Sequence, residues 1–518
     1  MLTNPFPSFI ICLLLILGYS CKKDAKGPDP ILNISRTDIE VGNDVGYTDT
    51  VVIQSNIDWK VNVSDTWLSV DPLTNATGDT TILTIKIIAA NITGAQTATV
   101  TITPVGWNGQ NRQINITRKA YGLAWQKCYG GSEIEDIYST TIFPNGQFVS
   151  TGYSNSTDGD ASGNMGEMSG WTFRATSDGN LLWQRKINQI GVGYRSIAAS
   201  PDGGAVGLGN LNAANQFLDL DVIKYDAAGN VMWNNKYGGE SHDFARAIIS
   251  TPDGGCLASG NTYSKTGDFI SNRGGSDLLV VKFNANGGVV WTKTFGGAGD
   301  EYIATTAVSS DGGYVIVGYT SSNNSGDVGA NHGDQDLLVL KIDANGNKVW
   351  SKTIGGSRLE LSSSIIGDTD GGCIVMGQTN SVDGDVVGRS GSNNDMWVVK
   401  LTNDGQIGWQ ACLGGSKDDI GNSMVRLPNG NIAISSTSNS TDRGITGNHG
   451  STDIWVVVLN NSGKTLWQKT FGSSAYDGNC GIAAWADGSM LVTNTANAND
   501  GDVSGNHGKS DTWIFKLQ

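Results

Sequence analysis

Three stretches of the chain carry the triplet Asp-Gly-Asp: Asp158 with Asp160, Asp383 with Asp385, and Asp500 with Asp502. Two carboxylates one residue apart are spaced as calcium loops space their oxygen ligands. Against a metal loop, Asp268 and Asp327 stand in the same context without the first acid, and no downstream Glu completes an EF-hand arrangement. The first reading is therefore a turn closed by side-chain to backbone bonds. Ca2+ held by these six aspartates is the alternative, and no other cofactor is expected.

A second acidic series is more regular. Four residues past the second residue of each Gly-Gly, or its Gly-Ser equivalent, stand Glu135, Asp243, Glu301, Glu360, Asp419 and Asp477, with Val192 breaking the series once. Four residues further on a small side chain recurs at Ser139, Ser196, Ala247, Thr305, Ser364, Ser423 and Gly481. Small residues suit inner strands crowding toward an axis, which predicts that the six acids ring the mouth of a channel. There they either bond between neighbouring repeats or form a ligand site for a cation or a polyol.

No catalytic residue is predicted. His332, His449 and His507 share one place in Asn-His-Gly, where other repeats put Arg273 or Met165, so that place reads as loop packing rather than acid–base chemistry. His242 is out of register beside Asp243. Paired carboxylates serve glycoside hydrolysis, but a symmetric ring gives no reason for one acid to differ in pKa from its neighbour. Aspartates at 221, 277, 336, 395, 453 and 511, replaced once by Gly170, each precede an apolar run and read as structural acceptors.

The elements that must position these groups follow from a repeat. Trp recurs at positions 125, 183, 233, 291, 350, 409 and 467, spaced by 50 to 59 residues. Between successive Trp lie three further strand-like runs divided by Asp-Gly-Gly and Ala-Asn-Gly turns. Four antiparallel strands repeated radially make a β-propeller. Seven Trp strands match seven three-strand groups only if the first strand, "LAWQKCYGG", completes the last blade, which leaves no unpaired edge at the seam. These repeats resemble a family of roughly 60-residue propeller repeats in secreted bacterial proteins. The expected architecture is all-β: a β-sandwich at 31–119, then a seven-bladed propeller at 121–518 closed by the N-terminal outer strand. The tight turns trim one face; the loops carrying both acidic series share the other, where binding residues are expected. The second repeat has a short loop, "NLNAANQFLDL", that would open a notch for an asymmetric ligand.

Residues 31–119 alternate apolar and polar positions in short runs, the pattern of an Ig-like sandwich. The run "TWLSVDP" with Trp67 and Pro72, Trp59 upstream, Asn91 and the strand "ATVTI" resemble the BACON domain, whose name stands for Bacteroidetes-associated carbohydrate binding. That resemblance implies carbohydrate contact. The alternation itself predicts Trp59 and Trp67 to be core. Before the sandwich, "FIICLLLIL" is a nine-residue apolar run, too short to span a bilayer and suited to a signal peptide over 1–20. Ser20 followed by Cys21 resembles a bacterial lipoprotein cleavage box, which implies a lipid on Cys21 and a tether over 21–30, with the membrane met only through that lipid.

A net charge of -15 argues against nucleic acid, since such binding rests on Lys and Arg neutralising phosphates. Cys128, Cys256, Cys373, Cys412 and Cys480 largely occupy equivalent places in separate repeats and read as small buried hydrophobes. The chain reads as a lipid-anchored protein of the bacterial outer membrane surface that binds glycan without catalysis. A scaffold for another envelope protein is the alternative, and a carbohydrate-active enzyme the third reading.

Overall fold

The computed structural model describes residues 28–42, 46–75, 80–89, 95–163, 168–187, 193–212, 217–268, 272–389 and 393–518. Cys21, the leader, most of the tether, Asn91, Met165, Val192 and part of the short loop of the second repeat lie outside them. The fold is all-β and propeller-like, and no α-helix occurs among the described residues. The chain divides into two compact units, the larger of which holds Ile116–Gln518.

The N-terminal strands form two sheets. One orders Leu32–Ile34, Thr48–Ser55, Thr80–Ile87 and Leu68–Asp71; the other orders Asp38–Glu40, Arg112–Arg118, Gln96–Pro104, Trp59–Val63 and Thr74–Asn75. Alternation in sequence becomes alternation in burial: along Gln96–Pro104 every second residue, Ala98, Val100, Ile102 and Pro104, is buried. Trp59 and Trp67 are 1% and 6% exposed, core as their flanking pattern predicts.

The rest of the chain makes seven four-stranded antiparallel sheets. Sheets I to VI occupy 135–187, 194–237, 243–295, 301–354, 360–413 and 419–471; sheet VII takes Gly478–Ala484, Met490–Ala496, Asp511–Leu517 and, as its fourth strand, Leu123–Tyr129. Strands within a sheet are called a to d here. The c strands of sheets III to VI are buried at every position, the mark of strands covered on both faces. Each sheet shares an apolar cluster with a neighbour, as where Val317 and Val339 of sheet IV meet Val375 and Trp397 of sheet V. Sheet VII shares one with sheet I through Leu491, Ile514, Phe148 and Trp171.

The repeated Trp joins each sheet to the next. The indole N–H groups of Trp125, Trp183, Trp233, Trp291 and Trp350 donate to carbonyls of Ser177, Ala227, Ala285, Ala344 and Asn403 in the c-to-d turn of the following sheet, at 2.9–3.3 Å. The ring also covers that turn's glycine: Gly229 has φ +80°, and a Cβ there would sit 2.7 Å from the Trp183 ring. Sheet VII has no such turn, because its c and d strands come from opposite ends of the array. Tyr121 fills the place, packing edge-on to Trp467 with ring centroids 5.2 Å apart. Gly122 and Gln518 exchange backbone hydrogen bonds at 3.0 Å beside it.

Deleting residues 121–131 leaves Asp511–Leu517, buried at six of its seven positions, as an open edge. The expected result is a fall in melting temperature of roughly 5 °C or more for the whole array. An unchanged melt would contradict this role for the first strand.

Candidate functional site on the bulges of the a strands

Each a strand begins where a Gly-Gly turn meets a carboxylate. In sheet V three consecutive backbone N–H groups are taken by three acids: Gly355 donates to Asp385 at 3.2 Å, Gly356 to Glu360 at 2.8 Å and Ser357 to Asp383 at 2.8 Å. Sheet VII repeats this with Gly472 to Asp502 at 3.3 Å, Ser473 to Asp477 at 2.7 Å and Ser474 to Asp500 at 2.8 Å. In sheet I Gly131 donates to Glu135 and Ser132 to Asp158, both at 2.8 Å, and the Gly130 N–H lowers the pKa of Asp160 against a larger upward push from burial. The Asp-Gly-Asp oxygens are thus engaged by the turn that leads into their own sheet. Where the first acid is missing, Ser325 substitutes, its hydroxyl accepting the Ala298 N–H at 3.0 Å. The middle residue takes φ near +60° at Gly159, Gly384 and Gly501, and a side chain at Gly384 would run into the Gly355 carbonyl.

Glu135, Asp243, Glu301, Glu360, Asp419 and Asp477 are all 0% exposed. Besides the turn N–H, each accepts from b-strand or adjoining side chains: Ser154 on Glu135 at 2.7 Å, Thr320 on Glu301 at 2.6 Å, Thr379 on Glu360 at 2.6 Å, Ser440 on Asp419 at 2.8 Å. Their bonds stay within their own sheet and its loops, and a ligand in solvent meets none of the six. Bonding between sheets falls instead to the small residues four places on: Ser139 and Ser196 accept the N–H of Ile197 and Ile248 on the next a strand, at 3.2 and 3.0 Å.

The c-strand aspartates are buried as well. Asp336, Asp453 and Asp511 each accept the backbone N–H of the histidine four residues upstream at 2.7–2.8 Å, with the same ring's Nδ1 at 2.7–3.0 Å. Arg273 holds the equivalent place before Asp277, its backbone N–H donating at 2.9 Å, which accounts for the interchange of His and Arg in the sequence, and Arg389, six residues before Asp395, pairs with that carboxylate through its side chain. Asp221 accepts from the Tyr194 hydroxyl at 2.6 Å. His242 accepts the Leu218 N–H at 3.1 Å and packs against Phe217 and Phe244. Burial, with the charge of Glu301 adding to it, pushes Asp277 up to about 6; burial does the same for Asp395, Asp477 and Asp243.

With the acids committed to structure, the side chains free to meet a ligand are those between them. The pairing of strands a and b slips three residues after the acid in every sheet where both ends are described: between Ile137 and Ser139, Ala245 and Ala247, Ile303 and Thr305, Ser362 and Ser364, and Gly421 and Ser423. Sheet II slips likewise between Tyr194 and Ser196, and sheet VII between Gly478 and Gly481. The skipped residue is a β-bulge, a device that re-aims a side chain. In sheets I, II and III it is Tyr138, Arg195 and Arg246.

These three meet. The Arg195 guanidinium lies 4.5 Å from the Tyr138 ring centroid, and the charges of Arg195 and Arg246 act on one another. Arg246 keeps solvent contact, yet burial first and then the Arg195 charge hold its pKa below the usual guanidinium range. Half-buried aromatics continue the surface: Tyr153 beside Tyr138 at 5.8 Å, Tyr302 stacked on Tyr319 at 5.2 Å, and Tyr263 sharing a 2.9 Å hydroxyl bond with Tyr302. Asp136 closes one end, accepting from Asn479 of sheet VII at 2.8 Å and from Thr495, and facing the Arg195 charge. None of these residues stands out in the sequence as chemistry. The available signal is that the third residue after each acid varies through Tyr, Arg, Arg, Ala, Ser, Asn and Cys while its flanks repeat.

No protein-family model matches the chain, and no curated protein does. Among solved structures it is similar to a Bacteroides ovatus GH5 xyloglucanase in complex with a XXXG heptasaccharide, at 16% identity and TM-score 0.16, covering 22% of this chain and only 27% of that one. A protein of unknown function from Dyadobacter fermentans is similar at 9% identity and TM-score 0.40, over 77% of this chain and 99% of the other. The β-propeller domain of the Trilobed protease from Pyrococcus furiosus follows at 7% identity and TM-score 0.40, over 74% and 95%.

A carboxyl raised from 3.8 to about 6 binds its proton more tightly folded than unfolded, so its stabilising contribution is present below the unfolded value and lost as pH rises through 6. Asp277→Asn keeps an acceptor for the Arg273 N–H and places a donor toward Glu301. Thermal melts should show the variant gaining on the parent at pH 8 and losing that gain at pH 5. An equal loss at both values would contradict the assignment.

Proposed function

We propose that the protein is a lipid-anchored, surface-exposed envelope protein whose seven-bladed propeller binds glycan without catalysis, and that residues 31–119 form a BACON-like sandwich. The closed ring is supported by the pairing of Leu123–Tyr129 with Asp511–Leu517 and by the apolar cluster shared by sheets VII and I. The sandwich reading rests on two sheets with alternating burial and two core tryptophans. Lipidation at Cys21, the signal peptide at 1–20 and the outer-membrane location rest on the leader sequence alone.

The observation that carries the binding reading is the cluster of half-buried tyrosines beside the a-strand bulges. Pyranose rings present apolar C–H faces between polar edges, and Tyr offers a flat apolar face with a hydroxyl at its rim. Tyr302 and Tyr319 stack on each other and remain half-exposed, with the Tyr263 hydroxyl beside them. Desolvated aromatics with satisfied hydroxyls are pre-ordered, so little side-chain freedom is lost on binding. Of the carboxylates described beside these rings, Asp136 is buried and occupied by Asn479 and Thr495, and Asp300 is half-buried near Tyr302.

A glycan array probed with the intact protein tests this. The double variant Tyr302→Ala, Tyr319→Ala should lose roughly fivefold or more in affinity for every bound glycan, at about 1 kcal/mol per stacking contact, with the melting temperature nearly unchanged. Undiminished binding by that variant would move the site elsewhere, and sugar turnover by the parent would reject the non-enzymatic reading.

A further inference from the structure

Arg246 reaches solvent from the bulge of its a strand, and its charge has no carboxylate partner among the described residues. Among the described residues it forms no ion pair and donates no hydrogen bond. Arg195 has Asp136 facing it and the Tyr138 ring beneath it. Sheets II and III thus present two guanidinium groups, with Asp136 facing Arg195 and the charge of Asp300 felt at Tyr302 on sheet IV. The remaining bulge residues on sheets V and VI are Ser363 and Asn422, both neutral, so the positive charge is confined to one side. A desolvated cation without a partner is costly to hold, and a strand bulge holds this one in place.

Resting on the glycan-binding reading, we propose that the site selects saccharides bearing a carboxylate, of the uronic acid class, with Arg246 as the direct partner of that carboxylate. A guanidinium presents a planar fork of donors matched to a carboxylate's two oxygens. Arg195, steadied by Tyr138 and Asp136, supplies the second positive group on the same side. Tyr302 and Tyr319 then lie next along the array, Tyr319 within the field of the Arg246 charge, where the pyranose face of the same or adjoining residue stacks. With Asp136 already facing Arg195 and Asp300 near Tyr302, Arg246 is the group left for a ligand carboxylate, which argues for one carboxylate per site. The protein's net charge of -15 repels densely charged polyanions at range, so a sulfated or phosphorylated chain fits less well than a sugar with isolated carboxylates.

Calorimetric titration of the full chain with neutral oligosaccharides carrying a single terminal glucuronic or galacturonic acid, and with short hyaluronan fragments, each beside its carboxyl-reduced counterpart, decides the matter. The expected result is that at least one acidic fragment binds roughly tenfold or more tightly than its reduced form, as loss of a charge-assisted bond implies. Arg246→Gln should remove that preference by weakening the acidic form far more than the reduced form, with the melting temperature unchanged, and Arg246→Lys should restore part of it. Equal binding of acidic and reduced forms, lost in the Tyr302→Ala, Tyr319→Ala variant, would overturn the carboxylate assignment and leave the glycan reading standing. Absence of binding by every fragment of either form would overturn both.

Discussion

Consecutive backbone N–H groups, delivered by the turn before the a strand and captured by one buried carboxylate flanked by two solvent-facing ones, fix where that strand begins. The pattern is complete in sheets V and VII and recurs with substitutions elsewhere. A buried carboxylate is strongly disfavoured unless donors surround it, and an unpaired buried N–H is disfavoured in turn. Placed together, the two liabilities offset each other. The arrangement anchors the inner strand to the long loop of its own sheet. It also explains why the first glycine of the pair, as at Gly130, Gly296, Gly355 and Gly414, cannot carry a side chain between carboxylates.

Once the start of the strand is set, everything downstream is set relative to it. The bulge falls three residues on and the small residue that bonds to the next a strand falls four residues on. The scaffold therefore offers the same position in every sheet for a side chain of any type. Structure is repeated and chemistry is not: sheets I to III carry Tyr138, Arg195 and Arg246 at that position, sheets V and VI carry Ser363 and Asn422. An asymmetric ligand site on a near-symmetric array needs no change in the array itself.

Much of the architecture was legible in the sequence because it rests on local rules. The Trp spacing, the Asp-Gly-Gly turns and the orphan strand "LAWQKCYGG" foretold the sheets and the pairing of first strand with last, and the alternation around Trp59 and Trp67 foretold their burial. The turn reading of Asp-Gly-Asp and the packing reading of Asn-His-Gly followed from exchange between repeats, and the hydrogen bonds agree. The six acids at Glu135 and its equivalents were legible as a series but not in place, because a count of residues does not say whether a carboxylate points to solvent or back to its own turn. The binding cluster was invisible for a related reason. A β-bulge shifts facing by one residue and leaves no mark in period-two patterning, so Arg195 and Arg246 looked like ordinary variable positions.

The account stands or falls on whether the bulge residues meet a ligand. A crystal structure of the protein soaked with an acidic oligosaccharide is the most direct measurement. The predicted result is a sugar carboxylate within hydrogen-bonding distance of the Arg246 guanidinium and a pyranose face against Tyr302 or Tyr319. A sugar bound only to the N-terminal sheets, or to the tight turns joining strands c and d, would contradict it.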